Sequence, residues 1–263
     1  MAPTARAMAM ADDLRSSLRR IEATLGVEPF DPLKSTRRFT IATNDHLTLV
    51  LIAELSRLMV VEAPHIDLVI RPSTRIDLAE QIDVGRIDLA LGIFAQVPPR
   101  LSARTLMTQG ELIVMRKGHP VARRKLALQD LARYPLVTVS VGGQEEGAVG
   151  GFILERGLAR QSEMFDRHAL EEALAGIGEV PRYRMMVSHA LAIPALLRGS
   201  DMLSIMPSSL ARSLAVGNDL LVREPPYPSV LSTFRGVWHS RNDHDPAHVW
   251  LRECVARAAQ QVA

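Results

Sequence analysis

Cys254 is the only cysteine in the chain, so no internal disulfide and no cysteine-based zinc site can form. It lies in "DPAHVWLRECVARAA", where Trp250, Cys254 and Ala258 recur every four residues on one helical face. A thiol so placed reads as a small buried apolar group, not a nucleophile. Net charge is also nearly absent, with 31 Lys+Arg against 29 Asp+Glu giving +2. That excess is too small to leave an electrostatic footprint for nucleic acid, which needs several clustered phosphate contacts. All of it sits in residues 1–38, where seven basic residues face five acidic ones. No stretch approaches the roughly 18 consecutive apolar residues of a membrane span. Asp12 and Asp13 stand where a signal peptide would be apolar, so the expected location is the cytoplasm. At 47% hydrophobic and 23% charged over 263 positions, the chain suits one or two globular domains with a full core.

The common catalytic signatures are missing too. There is no G-x-S-x-G, no P-loop lysine motif and no H-E-x-x-H. "GGQEEGAVGG" (142–151) follows a strand pattern as a phosphate loop would, but lacks G-x-G-x-x-G and the P-loop Lys-Ser/Thr, and reads as a plain loop before a helix. His244 and His248 are four apart, yet Pro246 starts a helix between them and leaves His244 outside it, which argues against a shared metal. "ARRK" (122–125) reads as solvated surface. The expectation is a chain that performs no catalysis and carries no metal or cofactor.

What is present is a strong alternation of elements. Ala7, Ala11, Leu14, Leu18, Ile21 and Leu25 are spaced 4, 3, 4, 3, 4. This is a heptad seam, too narrow for a helix lying on a globular core, and it asks for a partner helix. Gly26 ends it, and Pro29 and Pro32 keep "EPFDPLKSTRR" extended as a linker. Then "RFTIAT", "IDLVIRP" and "RIDLALGIF" read as strands, separated by helices in "DHLTLVLIAELSRLMVVEAP" and "RIDLAEQIDVG". Buried strands alternating with helices predict a parallel sheet of right-handed βαβ units. "LSARTLM" and "ELIVMRK" add two strands, and "LALQDLARYP" a helix closed by Pro135. "LVTVSV" opens a second α/β unit. In it, "FILERGLARQ", residues 169–175, "HALAIPALLRG" and the stretch after Pro207 read as helices; "RYRMMV", "DMLSIM", "DLLVRE" and "VLSTFRGVWHS" read as strands. Asp245 and Pro246 mark the start of the last helix.

Polar residues and helix starts gather at the carboxyl ends of these strands: Thr43 and Asn44, Ser73 and Thr74, Gly92 and Phe94, Ser140, Ser188 and His189. Open parallel sheets bind ligands there, and helix N-termini offer free N–H groups to a carboxylate. Two such units facing one another suggest a binding cleft.

"FTIATND", "APHIDLVIRP", "LAEQIDVGRIDLALG", "LMTQGELIVMRKGHP", "LQDLARYPLVTVS" and "DMLSIMPSSLAR" resemble, in order and spacing, the effector-binding domain of LysR-type transcriptional regulators. "FDPLKSTRRF" and "VWHSRNDHDPAHVWLR" resemble the branch that senses aromatic compounds and flavonoids. The resemblance runs from about Pro3 to the C-terminus. It implies two Rossmann-like α/β subdomains joined by two crossing strands, a type 2 periplasmic-binding-protein-like fold, preceded by an N-terminal linker helix. By that resemblance residues 1–28 are the dimerisation helix (Leu14, Leu18, Ile21, Leu25) and 29–37 a linker. Subdomain I is 38–135 plus 241–263, and subdomain II is 136–240. The crossing strands are Leu136–Ser140 and Phe234–Ser240. The winged helix-turn-helix that contacts DNA in the family is absent from these residues. The implied cleft binds a small aromatic or carboxylate effector, with Thr43, Asn44, Thr74, Phe94, Ser140, Ser188, His189, Met206 and Trp238 lining or bordering it. The implied partners are that effector and a second copy of the chain, in a dimer or tetramer. The sequence departs from the family twice. Asn44 replaces a usual serine, and "SEMFDRHALEEALAGIGEVPRY" (162–183) is longer than the usual link, room for an extra helix or lid. The alternative is a transporter's solute-binding protein of similar two-lobed fold, which should carry a signal peptide and lack the heptad helix.

Overall fold

The computed structural model describes Leu14, Ser17 and residues 30–74, 76–140, 151–163 and 165–262. The heptad positions Leu18, Ile21 and Leu25 and most of the glycine-rich loop lie outside the described residues. Leu14 is helical and 64% exposed. Within the expected linker, Phe30 packs against Trp250 with ring centroids 5.7 Å apart, and Arg37 pairs with Asp245 at 2.8 Å. This part of the linker is docked on the last helix.

From there the elements run β1 (Arg38–Thr43), then α1 (Asp45–Leu47), a π-helical stretch (Thr48–Ile52) and α2 (Ala53–Glu62) as one helical rod. β2 (Asp67–Pro72), α3 (Leu78–Asp83), β3 (Leu89–Gly92), β4 (Phe94–Gln96), β5 (Leu101–Gln109) and β6 (Glu111–Arg116) follow. Next come α4 (Leu128–Arg133), β7 (Leu136–Val139), β8 (Phe152–Glu155), β9 (Leu158–Gln161), α5 (Arg167–Ala175) and β10 (Tyr183–Val187). The chain ends with α6 (Ile193–Arg198), β11 (Ser204–Pro207), α7 (Ser208–Ala215), β12 (Leu220–Arg223), β13 (Ser232–His239) and α8 (Pro246–Val262). Several helices start at a short acceptor in the cap position. Asn44 accepts from the Leu47 N–H, Asp77 from Glu80 and Asp166 from Ala169, and Asp245 accepts from both Ala247 and His248.

The first lobe is a sheet in the order β2-β1-β3-β13-β5, parallel through β2, β1 and β3 and antiparallel at β13 and β5. Phe39, Ile41, Leu51, Leu55, Leu89, Phe234, Leu251 and Cys254 fill the space between this sheet and the helices α2 and α8. The second lobe pairs β10 with β7 in parallel and β6 with β11 and β12 antiparallel; a parallel bridge between Leu136 and Leu203 joins the two ladders. Its central strand β6 is buried on both faces. Leu112 and Val114 point into a core with Val137, Ile193 and Leu210, while Ile113 and Met115 point into one with Leu131, Phe165 and Leu170.

The structure corrects the sequence reading in two places. "FILERGLARQ" is not a helix but the hairpin β8–β9, in exact alternation over part of its length: Ile153 is 3% and Leu154 63% exposed. Its turn places Arg156 at φ 47° and Gly157 at φ 84°, the positive pair of a tight two-residue hairpin. The hairpin lies against β4 of the first lobe, pairing Phe94 with Arg160. Glu155 accepts from the Leu78 N–H, and Arg156 pairs with Asp77 at 2.7 Å. Leu158 joins Ala42, Leu78 and Phe94 in an apolar cluster. The second correction concerns the lobe boundaries of 38–135 plus 241–263 and 136–240. β6 belongs to the second sheet and β13 to the first. The chain therefore changes lobe at Gly110 and again between Arg223 and Ser232. Leu136–Ser140 does not cross, and Phe234–Ser240 lies within the first sheet.

Gly157 is boxed in as well as left-handed, since a Cβ there would meet Pro98 Cβ at 3.3 Å. Gly157→Ala should lower stability by about 1–2 kcal/mol. Thermal unfolding should show it as a lower melting temperature; an unchanged melting temperature would contradict the hairpin geometry.

Candidate functional site

The carboxyl ends of β1, β2 and β3 open onto a cleft of about 2120 Å³ between the lobes. Thr43 and Asn44 lie on its wall just after β1, where the chain turns into the helical rod. Thr74 lies past β2 and Phe94 past β3. Ser140 ends the strand segment after β7, and Ser188 and His189 follow β10 from the facing lobe. The geometry thus gathers seven of the nine residues expected at the cleft. It does not bring the other two there. Met206 is fully buried in the second lobe's core. Trp238 is 7% exposed in the first lobe's core; its indole N–H donates to Asp243 at 2.7 Å, and the Arg252 guanidinium sits 4.5 Å over its ring. Both strands are covered on both faces at these positions, since the neighbours Ile205 and Val237 are buried in other apolar clusters.

The cleft also holds residues that sequence reading missed. The β8–β9 hairpin brings Phe152 and Gln161 to the wall, and the segment before α5 brings Glu163, Phe165 and Asp166. Reading the hairpin as a helix hid them; the Arg-Gly pair between two apolar runs was the available signal. Arg71 and Arg235 line the floor.

Contacts across the cleft join the lobes. His189 Nδ1 and Asp45 Oδ2 are 2.9 Å apart, linking the start of the rod to the facing lobe. Deeper in, His46 is fully buried; its Nε2 is 2.8 Å from Ser209 Oγ at the start of α7, and its ring stands edge-on to Phe234. Gln109 Oε1 accepts from Ser208 Oγ and the Ser209 N–H, capping α7 from the strand where the chain changes lobe. A chamber of about 30 Å³ lies beside this seam, lined by His46, Glu111, Arg160, Glu163 and Phe234 among others. Burial, and then the charge of Asp166, push the Glu111 carboxyl up to about 8. Burial pushes the His46 imidazole down to about 3. His248, weighed above as a metal ligand, is buried in the first lobe; its Nε2 is 2.9 Å from the Asp88 carbonyl, and Arg252 lies 2.8 Å from its Nδ1. No cluster of three or more His, Cys, Asp or Glu suited to a metal occurs among the described residues. No helix among them is long and apolar enough to cross a membrane.

Residues 34–260 match the LysR substrate binding domain family model. The transcriptional activator NagR of Ralstonia sp is 26% identical over 257 residues, covering 96% of this chain and 77% of that protein. NahR of Pseudomonas putida, also a transcriptional activator, is 26% identical over 258 residues, covering 97% and 78%. The regulatory domain of MexT, a transcriptional activator in Pseudomonas aeruginosa, superposes with a TM-score of 0.67 at 23% identity, covering 85% of this chain and 98% of that domain.

Glu111 and His46 set opposite pH slopes on stability. Between pH 4.5 and about 8 the folded chain keeps a proton on Glu111 that the unfolded chain has lost, so stability falls as pH rises. Between about pH 3 and 6.5 the unfolded chain binds a proton that folded His46 refuses, so stability rises with pH. The slopes oppose one another between pH 4.5 and 6.5, where His119, His239 and His248, also lowered, act in the same sense as His46; above pH 6.5 the Glu111 slope remains. Urea unfolding should show stability falling by about 2 kcal/mol from pH 6.5 to 8. Glu111→Gln should flatten that fall; a profile identical to the parent's would refute the assignment.

Proposed function

The chain belongs to the LysR substrate-binding-domain family, and we propose that it is the ligand-sensing and oligomerisation part of a LysR-type transcriptional regulator whose effector occupies the cleft between the lobes. The observation that carries this reading is the cleft itself, at the carboxyl ends of the first lobe's parallel strands, where such sheets take ligands. The effector is a small aromatic or carboxylate compound, contacted by Thr43, Asn44, Thr74, Phe94, Ser140, Ser188 and His189. The apolar side chains of Ile70, Ile93 and Phe94 beside Asn44 and Thr43 support that chemistry. The domain senses and does not catalyse, acts in the cytoplasm, and reaches DNA through a winged-helix domain.

Effector binding favours one relative setting of the lobes. The seam of His46, Ser209 and Gln109 and the Asp45–His189 contact are the points at which that setting is held. A coupling of about 1–3 kcal/mol is enough for a useful response. The leading helix carries the setting to a second copy by pairing along Leu14, Leu18, Ile21 and Leu25. NagR and NahR are transcriptional activators, and the transporter alternative finds no support among the matched relatives.

Thermal unfolding with benzoate, hydroxybenzoates and a flavone tests the site. A ligand at about 100 times its dissociation constant stabilises by about 2.7 kcal/mol, a shift of several degrees. Asn44→Ala should abolish the shift while circular dichroism stays native, although losing the cap costs about 1 kcal/mol. A flat response across a broad set of organic acids and flavonoids would sink the proposal. For the pairing helix, Leu18→Asp with Leu25→Asp should lower the sedimentation coefficient to that of a smaller species; no change would refute the pairing.

A further inference from the structure

Two arginines among the described residues of the cleft wall face no carboxylate, and they point to a ligand chemistry within the effector site proposed above. Four carboxylates face the cleft among the described residues: Asp45, Glu163, Asp166 and Glu171. Each is engaged. Asp45 holds His189 at 2.9 Å. Glu163 and Glu171 hold Arg167 at 2.7 and 3.5 Å, and the Tyr183 hydroxyl donates to Glu171. Asp166 accepts from the N–H groups of Ala169 and Val230. On the basic side, Arg167 and His189 are engaged in those contacts, and His168 stands 4.0 Å from Glu172. Arg71 and Arg235 remain, with no carboxylate or hydrogen-bond acceptor among the described residues against either guanidinium.

The sheet sets where these two stand. Arg71 is opposite Ala42 near the carboxyl end of β2, and Arg235 is opposite Gly92 at the carboxyl end of β3. In the order β2-β1-β3-β13 they are three strands apart, roughly 14 Å between backbones. Asn44 lies between them; its Oδ1 caps the helical rod, and its amide N–H groups are left to donate. Ile70 and Ile93 supply apolar floor, and Phe152 apolar wall. Arg235 is half-buried and Arg71 exposed. Guanidinium groups bind carboxylates through paired hydrogen bonds, and a partly buried one left without an anion bears a desolvation cost.

We propose that Arg235 and Arg71 are the specificity-determining residues of this cleft, and that its effector is a dicarboxylate on an apolar or aromatic body, one carboxylate on each guanidinium. Arg235 is the primary anion site because it is the less exposed. Arg71 takes the second charge and separates diacids from monoacids.

Isothermal titration with terephthalate, benzoate, terephthalamide and the flexible diacid adipate tests this. Loss of a charged hydrogen-bonded pair should cost at least about tenfold in affinity. One of the two diacids should bind at least about tenfold tighter than benzoate, and terephthalamide, which has the shape of terephthalate without its charge, should not bind. Arg71→Gln should bring the diacid to the benzoate level while leaving benzoate within about twofold. Arg235→Gln should weaken both acids, and Arg235→Lys should restore part of the loss. Melting curves of the free variants confirm that each is folded. Equal affinity for diacid and benzoate, tight binding of the diamide, or diacid affinity unchanged in both glutamine variants overturns the proposal. If neutral aromatic compounds still stabilise the protein in that case, the effector cleft stands and the dicarboxylate assignment alone falls. If no organic compound binds, both fall.

Discussion

Gln109, Gly110 and Glu111 carry the chain from one sheet into the other with no loop between, and the architecture depends on that passage. β5 ends at Gln109 and β6 begins at Glu111, so one extended segment serves as edge strand of the first sheet and central strand of the second. Lobes joined this way must lie side by side. Gln109 and Gly110 also hold the neighbouring helix. The Gln109 side chain caps the start of α7, the Gly110 carbonyl accepts from the Ser208 N–H, and Ser209 reaches across to His46. A change in lobe orientation has to be absorbed at this seam, where a carboxyl and an imidazole are both buried. Buried polar groups are costly unless well matched, so the seam favours defined settings over a continuum.

A third link between the lobes is the β8–β9 hairpin. It leaves the second lobe after β7, pairs with β4 of the first, and returns through Glu163 and Arg167 to α5. Ser162 closes its base on the Gly151 carbonyl. Its ion pairs are partly exposed, and such pairs contribute little each. Its hold comes from the ladder with β4 and from Leu158 buried against Ala42, Leu78 and Phe94. The hairpin is also a cleft wall, so the residues that meet a ligand and those that fasten the lobes belong to one element. Ligand contact and lobe setting are thereby mechanically joined.

Local structure was largely legible from the residues. Asn44, Asp77, Asp166 and Asp245 mark helix starts by chemistry that acts within three positions, and the apolar strands β1, β2 and β6 announce themselves by composition. The placing of Thr43, Asn44 and Thr74 at a strand-end cleft follows from the βαβ pattern alone. The hairpin was not legible as such, because a ten-residue segment with alternating and helical matches is ambiguous until a partner strand appears. That partner, β4, lies more than fifty residues earlier and is three residues long.

Composition, periodicity and capping therefore determined the class of fold, the order of most elements and the end of the sheet at which a ligand would sit, since all three act over a few residues. Only the tertiary structure decided where the chain changes lobe, that Met206 and Trp238 face cores, and which cleft charges find partners. Each of those depends on pairings between distant segments: β6 with β11 and β12, β13 with β3 and β5, and Asp45 with His189. A strand's neighbours decide which of its faces is buried, and a charge is spent or free according to what the fold sets beside it. Neither is written in the residue or its near neighbours.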